Sequence, residues 1–178
     1  MRGKLLFLVA ALTAVAIGCG QGRAIFDIDV FSFLSATKAD TLPYVGPLPP
    51  GVPDTIPVQT VKSLGIGSSS IVDTVRLTGS VDFVNATGNG SVTFSVYFDS
   101  VRSTVYTGTP AFSVSGAVTP GATTPSPFAV DIIDPAMKRL FLASTIYVGI
   151  RASATGTISG TAKLRALRAR IVIQDKLF

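Results

Sequence analysis

The chain has 178 residues, 47% of them hydrophobic and only 14% charged, with a formal net charge of +5. That length and apolar content are enough for one domain with a real core, and they exclude a disordered or highly charged tail. All ten acidic residues are aspartate, and histidine and tryptophan are absent. Ser-His-Asp and Cys-His catalysis is thereby excluded, and the commonest zinc ligand and acid/base groups are missing. The charge excess is too mild, and too little interleaved with aromatics, for a nucleic-acid partner.

The N-terminus reads Met1-Arg2-Gly3-Lys4, then an apolar run from Leu5 to Ile17, then Gly18-Cys19. A charged start, a short apolar stretch and small residues before a cut site are the anatomy of a secretory signal, too short for a membrane span. Ala16-Ile17-Gly18-Cys19 resembles the lipobox of bacterial lipoproteins. The resemblance implies removal of residues 1–18, acylation of Cys19, and a membrane-lipid partner reached through that residue. Gly20, where an aspartate would imply inner-membrane retention, implies the outer membrane or cell surface. The alternative is an ordinary cut after Ala14-Val15-Ala16, leaving a secreted or periplasmic protein with a free thiol. Acylation accounts for the single, otherwise unpaired cysteine, and several acyl chains are what stable anchoring needs.

Residues 19–23 are then a lipidated tether, and 24–178 a single β-sandwich domain. Ala24 to Leu34 reads as a strand, with Phe26, Ile28, Val30 and Leu34 on one parity and Asp27 and Asp29 on the other. The proline-rich stretch 42–57 reads as a long loop. Ile71 to Val84 alternates, with Ile71, Val75, Leu77, Val81 and Phe83 on one face. Asn89-Gly90 is a hairpin signal, and Val92, Phe94, Val96 and Phe98 point inward on the return strand. Phe112, Val114 and Val118 mark another strand. A Thr/Pro-rich loop 119–127 and a short strand Phe128 to Ile132 follow. Asp134-Pro135 starts the one predicted helix, near 135–142, as N-cap and first helical residue. Ser144 to Ala154 alternates, and Thr155-Gly156 turns. In the last strand the apolar parity passes from Ile158, Ala162, Leu164 and Ala166 to Leu167, Ala169, Ile171 and Ile173, which predicts a bulge near Ala166–Leu167. The expected fold is an all-β antiparallel sandwich, immunoglobulin-like in architecture, with one short helix.

Four constellations are candidates for chemistry. Lys163, Arg165, Arg168 and Arg170 make a basic stripe, which Arg151 on a neighbouring strand would extend. It suits acidic sugars, lipid headgroups or another anionic partner, or else guards an edge strand against aggregation. The turn Asp82 to Gly90 carries oxygen ligands and two glycosylation sequons, beginning at Asn85 and Asn89, but lacks EF-hand spacing and reads as plain turn chemistry. Asp27, Asp29, Asp131 and Asp134 would form a carboxylate dyad or cation site only if they met in space. Tyr97, Tyr106 and Tyr147 would stack on sugar rings if exposed together.

No catalytic residue, metal site or cofactor emerges. The expected function is a membrane-anchored exported lipoprotein, a non-catalytic binding or structural module of the bacterial envelope, with an envelope protein or polysaccharide as partner. The alternatives are a carbohydrate- or cell-wall-binding module and a small Asp-dependent hydrolase.

Overall fold

The computed structural model describes residues 22–48, 54–62, 65 and 70–175. The signal segment, Cys19 and most of the tether lie outside the described residues. The strands are β1 (Gly22–Asp29), β2 (Thr41–Gly46), β3 (Gln59–Lys62), β4 (Ile71–Thr87), β5 (Gly90–Asp99), β6 (Phe112–Val118), β7 (Thr123–Ile132), β8 (Thr145–Thr155) and β9 (Ile158–Asp175); the helices are α1 (Val30–Ala36) and α2 (Pro135–Leu140). One sheet has the order β1-β9-β4-β7, with β2 also paired to β9; the other has the order β3-β8-β5-β6. Every pairing is antiparallel.

The predicted all-β sandwich is the observed class. Its wiring is that of a jelly roll rather than the seven-strand immunoglobulin arrangement. β1 and β2 run in one direction along β9, the first opposite residues 168–175 and the second opposite 158–163. Together they make one edge strand interrupted by α1. The tight connections β4–β5, β6–β7 and β8–β9 each pass from one sheet to the other.

The predicted hairpin at Asn89-Gly90 is therefore an arch, since β4 and β5 lie in different sheets. A two-residue type I′ hairpin needs positive φ at both central residues. Here the left-handed residue is Gly88, at φ 73°, and a Cβ there would run into the Thr157 carbonyl of the neighbouring arch.

Two other expectations are corrected. The strand that begins near Ala24 ends at Asp29, whose side chain accepts from the Ser32 amide at 3.3 Å and caps α1. A second helix thus joins the predicted one. Val30 and Leu34, four apart, fit either period, and both are buried, with α1 packed against β9. The proline-rich loop is shorter than expected at its start, because Leu42 to Gly46 belong to β2. Likewise β7 reaches back to Thr123 through Pro125 and Pro127. Among the described residues β7 pairs only with β4, and an edge strand tolerates prolines whose missing N–H groups face outward.

The inward parities of β4, β5 and β8 are as read: Val75, Leu77, Val81, Phe83, Val92, Phe94, Val96, Ile146, Val148 and Ile150 are buried. Ile71, expected on that face, is exposed. α2 is capped by Asp134, which accepts from the Ala136 amide at 2.9 Å. The Phe141 ring meets Phe98 edge-on at 5.5 Å. The β9 bulge lies at Arg165: Ala166 pairs with Ser80 and Leu164 with Val81, leaving Arg165 as the extra residue.

Gly79 lies on the inward side of β4, opposite Phe128, whose ring is 4.5 Å from that of Phe112. A Cβ on Gly79 would press on the Ala166 carbonyl and the Phe128 ring. Gly79→Ala is expected to destabilise the domain by about 1–3 kcal/mol, read as a lower urea midpoint. An unchanged midpoint would mean that the sheet yields there freely.

Candidate binding face and its charged trough

β9 lies inside its sheet, between β1/β2 and β4. The edge-guard reading of the basic stripe is thus corrected. Strand alternation puts Lys163, Arg168 and Arg170 on the outer face, opposite the buried Ala162, Leu164, Leu167 and Ala169. The bulge brings Arg165 to that face as well, and its Nε donates to Asp82 Oδ2 at 2.6 Å.

Pairing across four strands sets one transverse row: Asp27 on β1 opposite Arg170 on β9, Arg170 opposite Arg76 on β4, and Arg76 opposite Asp131 on β7. Arg168 stands in the next row, between Asp29 and Thr78. A trough of about 690 Å3 runs over these rows, lined by Asp27, Thr74, Arg76, Thr78, Asp131, Arg168, Arg170 and Val172. It holds three arginines against two aspartates. Arg76 leans to Asp131, with 3.9 Å between Nε and Oδ1. Arg168 and Arg170 make no ion pair or hydrogen bond among the described residues. Like charges directly opposite on neighbouring strands repel, so the Arg76/Arg170 pair favours an anion between them.

Arg151 does not extend this surface. It lies on β8, in the other sheet, with its Nε 3.2 Å from Asp54 Oδ2. That contact is an ion pair without a hydrogen bond, because the Nε–H is not aimed at the carboxylate. Its guanidinium sits 5.7 Å from the Tyr97 ring centre and 5.5 Å from that of Tyr106.

The tyrosines form no exposed platform. Tyr97 is buried, and Tyr106 meets it edge-on at 5.5 Å. The Tyr106 hydroxyl donates to the Ile56 carbonyl at 2.6 Å and accepts from the Ile150 amide at 3.1 Å. These rings pin the 54–58 segment and the loop after β5 onto β8. Burial pushes the Tyr106 and Tyr44 phenols above their ordinary range, although the Ile150 backbone bond and Arg151 pull Tyr106 the other way. Both phenols are therefore expected to ionise late in an alkaline titration followed by phenolate absorbance. The stability tied to their protonated forms is complete below a pH of about 10 and is lost as pH rises through the folded values. Four tyrosines titrating together at the ordinary value would contradict this.

The aspartates divide by role. Asp29 and Asp134 cap helices. Asp27 and Asp131 share the trough but stand at its two ends, about 14 Å apart at the backbone for three strand spacings, with two arginines between them. A carboxylate pair that works on one bond sits within about 5–10 Å, so this arrangement does not form an acid/base dyad. Among the described residues no three Asp, Glu, His or Cys side chains gather as a metal site. Asn85 is buried, so its sequon offers no acceptor; its side chain binds Gly88 and Tyr44 instead.

Sequence reasoning found Arg168 and Arg170 but missed Arg76, Thr74 and Thr78 as their companions. The available signal was their shared parity on β4; the pairing with β9 that brings them together was not visible.

No protein-family model matches the chain, and no curated protein matches it. Among solved structures, the T13 particle of infectious bursal disease virus is similar over 86% of this chain at 13% identity and a TM-score of 0.42. The chain spans only 35% of that viral chain. Eiger TNF from S. frugiperda is similar over 64% of this chain and 83% of its own, at 5% identity and a TM-score of 0.36. The Clostridium thermocellum xylanase 10B CBM22-1–GH10 modules, complexed with xylohexaose, are similar over 66% of this chain and 19% of their own, at 15% identity and a TM-score of 0.29. These are distant likenesses among β-sandwiches, and a shared fold does not carry a function with it.

Proposed function

We propose that this chain is an exported lipoprotein, anchored through acylated Cys19, whose sandwich is a non-catalytic binding module of the bacterial envelope. Its ligand is an acidic polysaccharide held in the trough on the outer face of the β1-β9-β4-β7 sheet. The observation that carries the ligand class is the pair Arg168 and Arg170, side by side on β9 without an ion pair, in a trough that also offers Thr74 and Thr78. Guanidinium forks match carboxylates bidentately, and threonine hydroxyls accept from or donate to ring hydroxyls. Asp27 and Asp131 accept from sugar hydroxyls and repel a ligand that is anionic throughout. The anchor rests on the signal anatomy ending at Cys19 and on the brevity of the link. Two residues, Gly20 and Gln21, separate Cys19 from the first residue of β1, a reach of about 10 Å when extended.

Two measurements test the two halves. Mass spectrometry of the Cys19 peptide and fractionation of Cys19→Ser should show acylation in the parent and release from membranes in the variant. A Cys19→Ser protein that stays membrane-bound after normal processing defeats the anchor. Calorimetry should detect a polyuronate and not a neutral glucan, with affinity falling as salt rises. Equal binding of both polymers defeats the trough reading.

A further inference from the structure

The sandwich has four lateral edges, and three are closed to further strands. β7 carries Pro125 and Pro127. The edge opposite it is broken by α1 and carries Pro43. β3 is only four residues long. Prolines, interruptions and short strands are the ordinary means of blocking edge pairing. β6 has none of them: its seven residues, Phe112-Ser113-Val114-Ser115-Gly116-Ala117-Val118, include neither proline nor charge.

Among the described residues no strand pairs with its outer edge, and the backbone groups on that edge can be assigned. The Ala117 carbonyl accepts from the Thr124 hydroxyl of β7 at 3.4 Å, so it points away from β5. Backbone groups alternate sides along a strand. Ser113 and Ser115 therefore also present their N–H and C=O groups outward, and their side chains are exposed.

We propose that β6 pairs with β6 of a second copy of this chain, antiparallel and centred on Ser115, joining two four-stranded sheets into one of eight strands. The sequence of β6 favours a copy of itself. Around Ser115 the register sets Ser113 against Ala117 and Val114 against Gly116, so that small meets small on the outer face and large meets small on the inner. It forms about six ladder hydrogen bonds in a two-fold interface. The hydroxyl pairs Thr93–Ser115 and Ser95–Ser113, each at 2.8 Å, become parts of one polar ladder running through the seam. Neither β6 nor the stretch of β5 it pairs with carries a charged side chain that would select a foreign strand. The inference is independent of both the anchor and the trough.

The test is sedimentation of the full chain in mild detergent over a wide concentration range. The parent should dimerise reversibly. Ser115→Pro removes an outward backbone donor together with the exposed hydroxyl contact to Thr93, and should yield monomers with unchanged far-ultraviolet dichroism. Ser115→Lys and Ser115→Asp, which set like charges face to face, should each be monomeric and should form a mixed dimer when combined at low salt. A parent that stays monomeric up to its solubility limit overturns the proposal. So does a dimer untouched by Ser115→Lys, or a Lys/Asp mixture that remains monomeric.

Discussion

Replacing Asn85 with alanine should remove about 2–6 kcal/mol of stability, from two partners, the buried Tyr44 hydroxyl and the half-buried Gly88 carbonyl, at about 1–3 kcal/mol each. That is a large share of the roughly 5–15 kcal/mol that holds a domain together. Asn85 follows Val81 and Phe83 on the inward side of β4, and its side chain is buried. Its Nδ2 donates to the Gly88 carbonyl at 2.7 Å, and its Oδ1 accepts from the Tyr44 hydroxyl at 3.2 Å. Its backbone binds the β6–β7 connection, donating to Ala122 and accepting from Gly121, both at 2.9 Å. One residue thus ties β2, the β4–β5 arch and the β6–β7 turn together. Alanine keeps the backbone bonds and strands the Gly88 carbonyl and the Tyr44 hydroxyl. Urea denaturation should show a lower midpoint at an unchanged slope. Tyr44→Phe, which strands one acceptor, should cost less. Asn85→Asp sets a carboxylate against the Gly88 carbonyl, which raises its folded-state pKa, so that variant should gain stability as pH falls. A loss below about 1 kcal/mol for Asn85→Ala, the worth of one ordinary hydrogen bond, would remove Asn85 from this role.

The second large effect concerns the ligand. Removing Arg168 and Arg170 together should weaken polyuronate binding at least about 100-fold, because a hydrogen bond to a charged group contributes about 1.5–3 kcal/mol and 1.4 kcal/mol is tenfold. Arg165→Ala is the informative control. If the whole basic stripe acted as a diffuse positive field, losing Arg165 would weaken binding as much as losing Arg168. If the trough is the site, Arg165, already engaged by Asp82, should matter little. Equal losses for the Arg165 and Arg168 variants would return the interaction to nonspecific attraction. The double variant should melt within a degree or so of the parent, since both side chains are exposed and unpaired.

Much of the fold is written in local alternation. The buried parities of β4, β5 and β8 follow from period two, because each strand has one dry face. The bulge was legible from the parity shift in β9 and lies at Arg165, next to the expected position. Alternation does not say which sheet a strand joins, and so the arch at Gly88 read as a hairpin. α1 was hidden because Val30 and Leu34 satisfy both periods. Pro43, Pro125 and Pro127 argued for loops, since a proline is admitted to a strand only at an edge, and edges are set by tertiary order. For the site, Arg168 and Arg170 were visible as neighbours. Asp27, Arg76 and Asp131 join them only through pairings that span most of the chain.

β9 carries a consequence for how the molecule comes into being. It pairs with β1, β2 and β4, yet it follows every other described strand. Until it is synthesised, three strands of its sheet have no common neighbour, and the edge formed by β1 and β2 has nothing to lie against. Its partners are remote in sequence, and chains built from remote pairings fold slowly. The polypeptide therefore spends its emergence from the ribosome without its central seam, and the sandwich closes only when its last described strand is delivered.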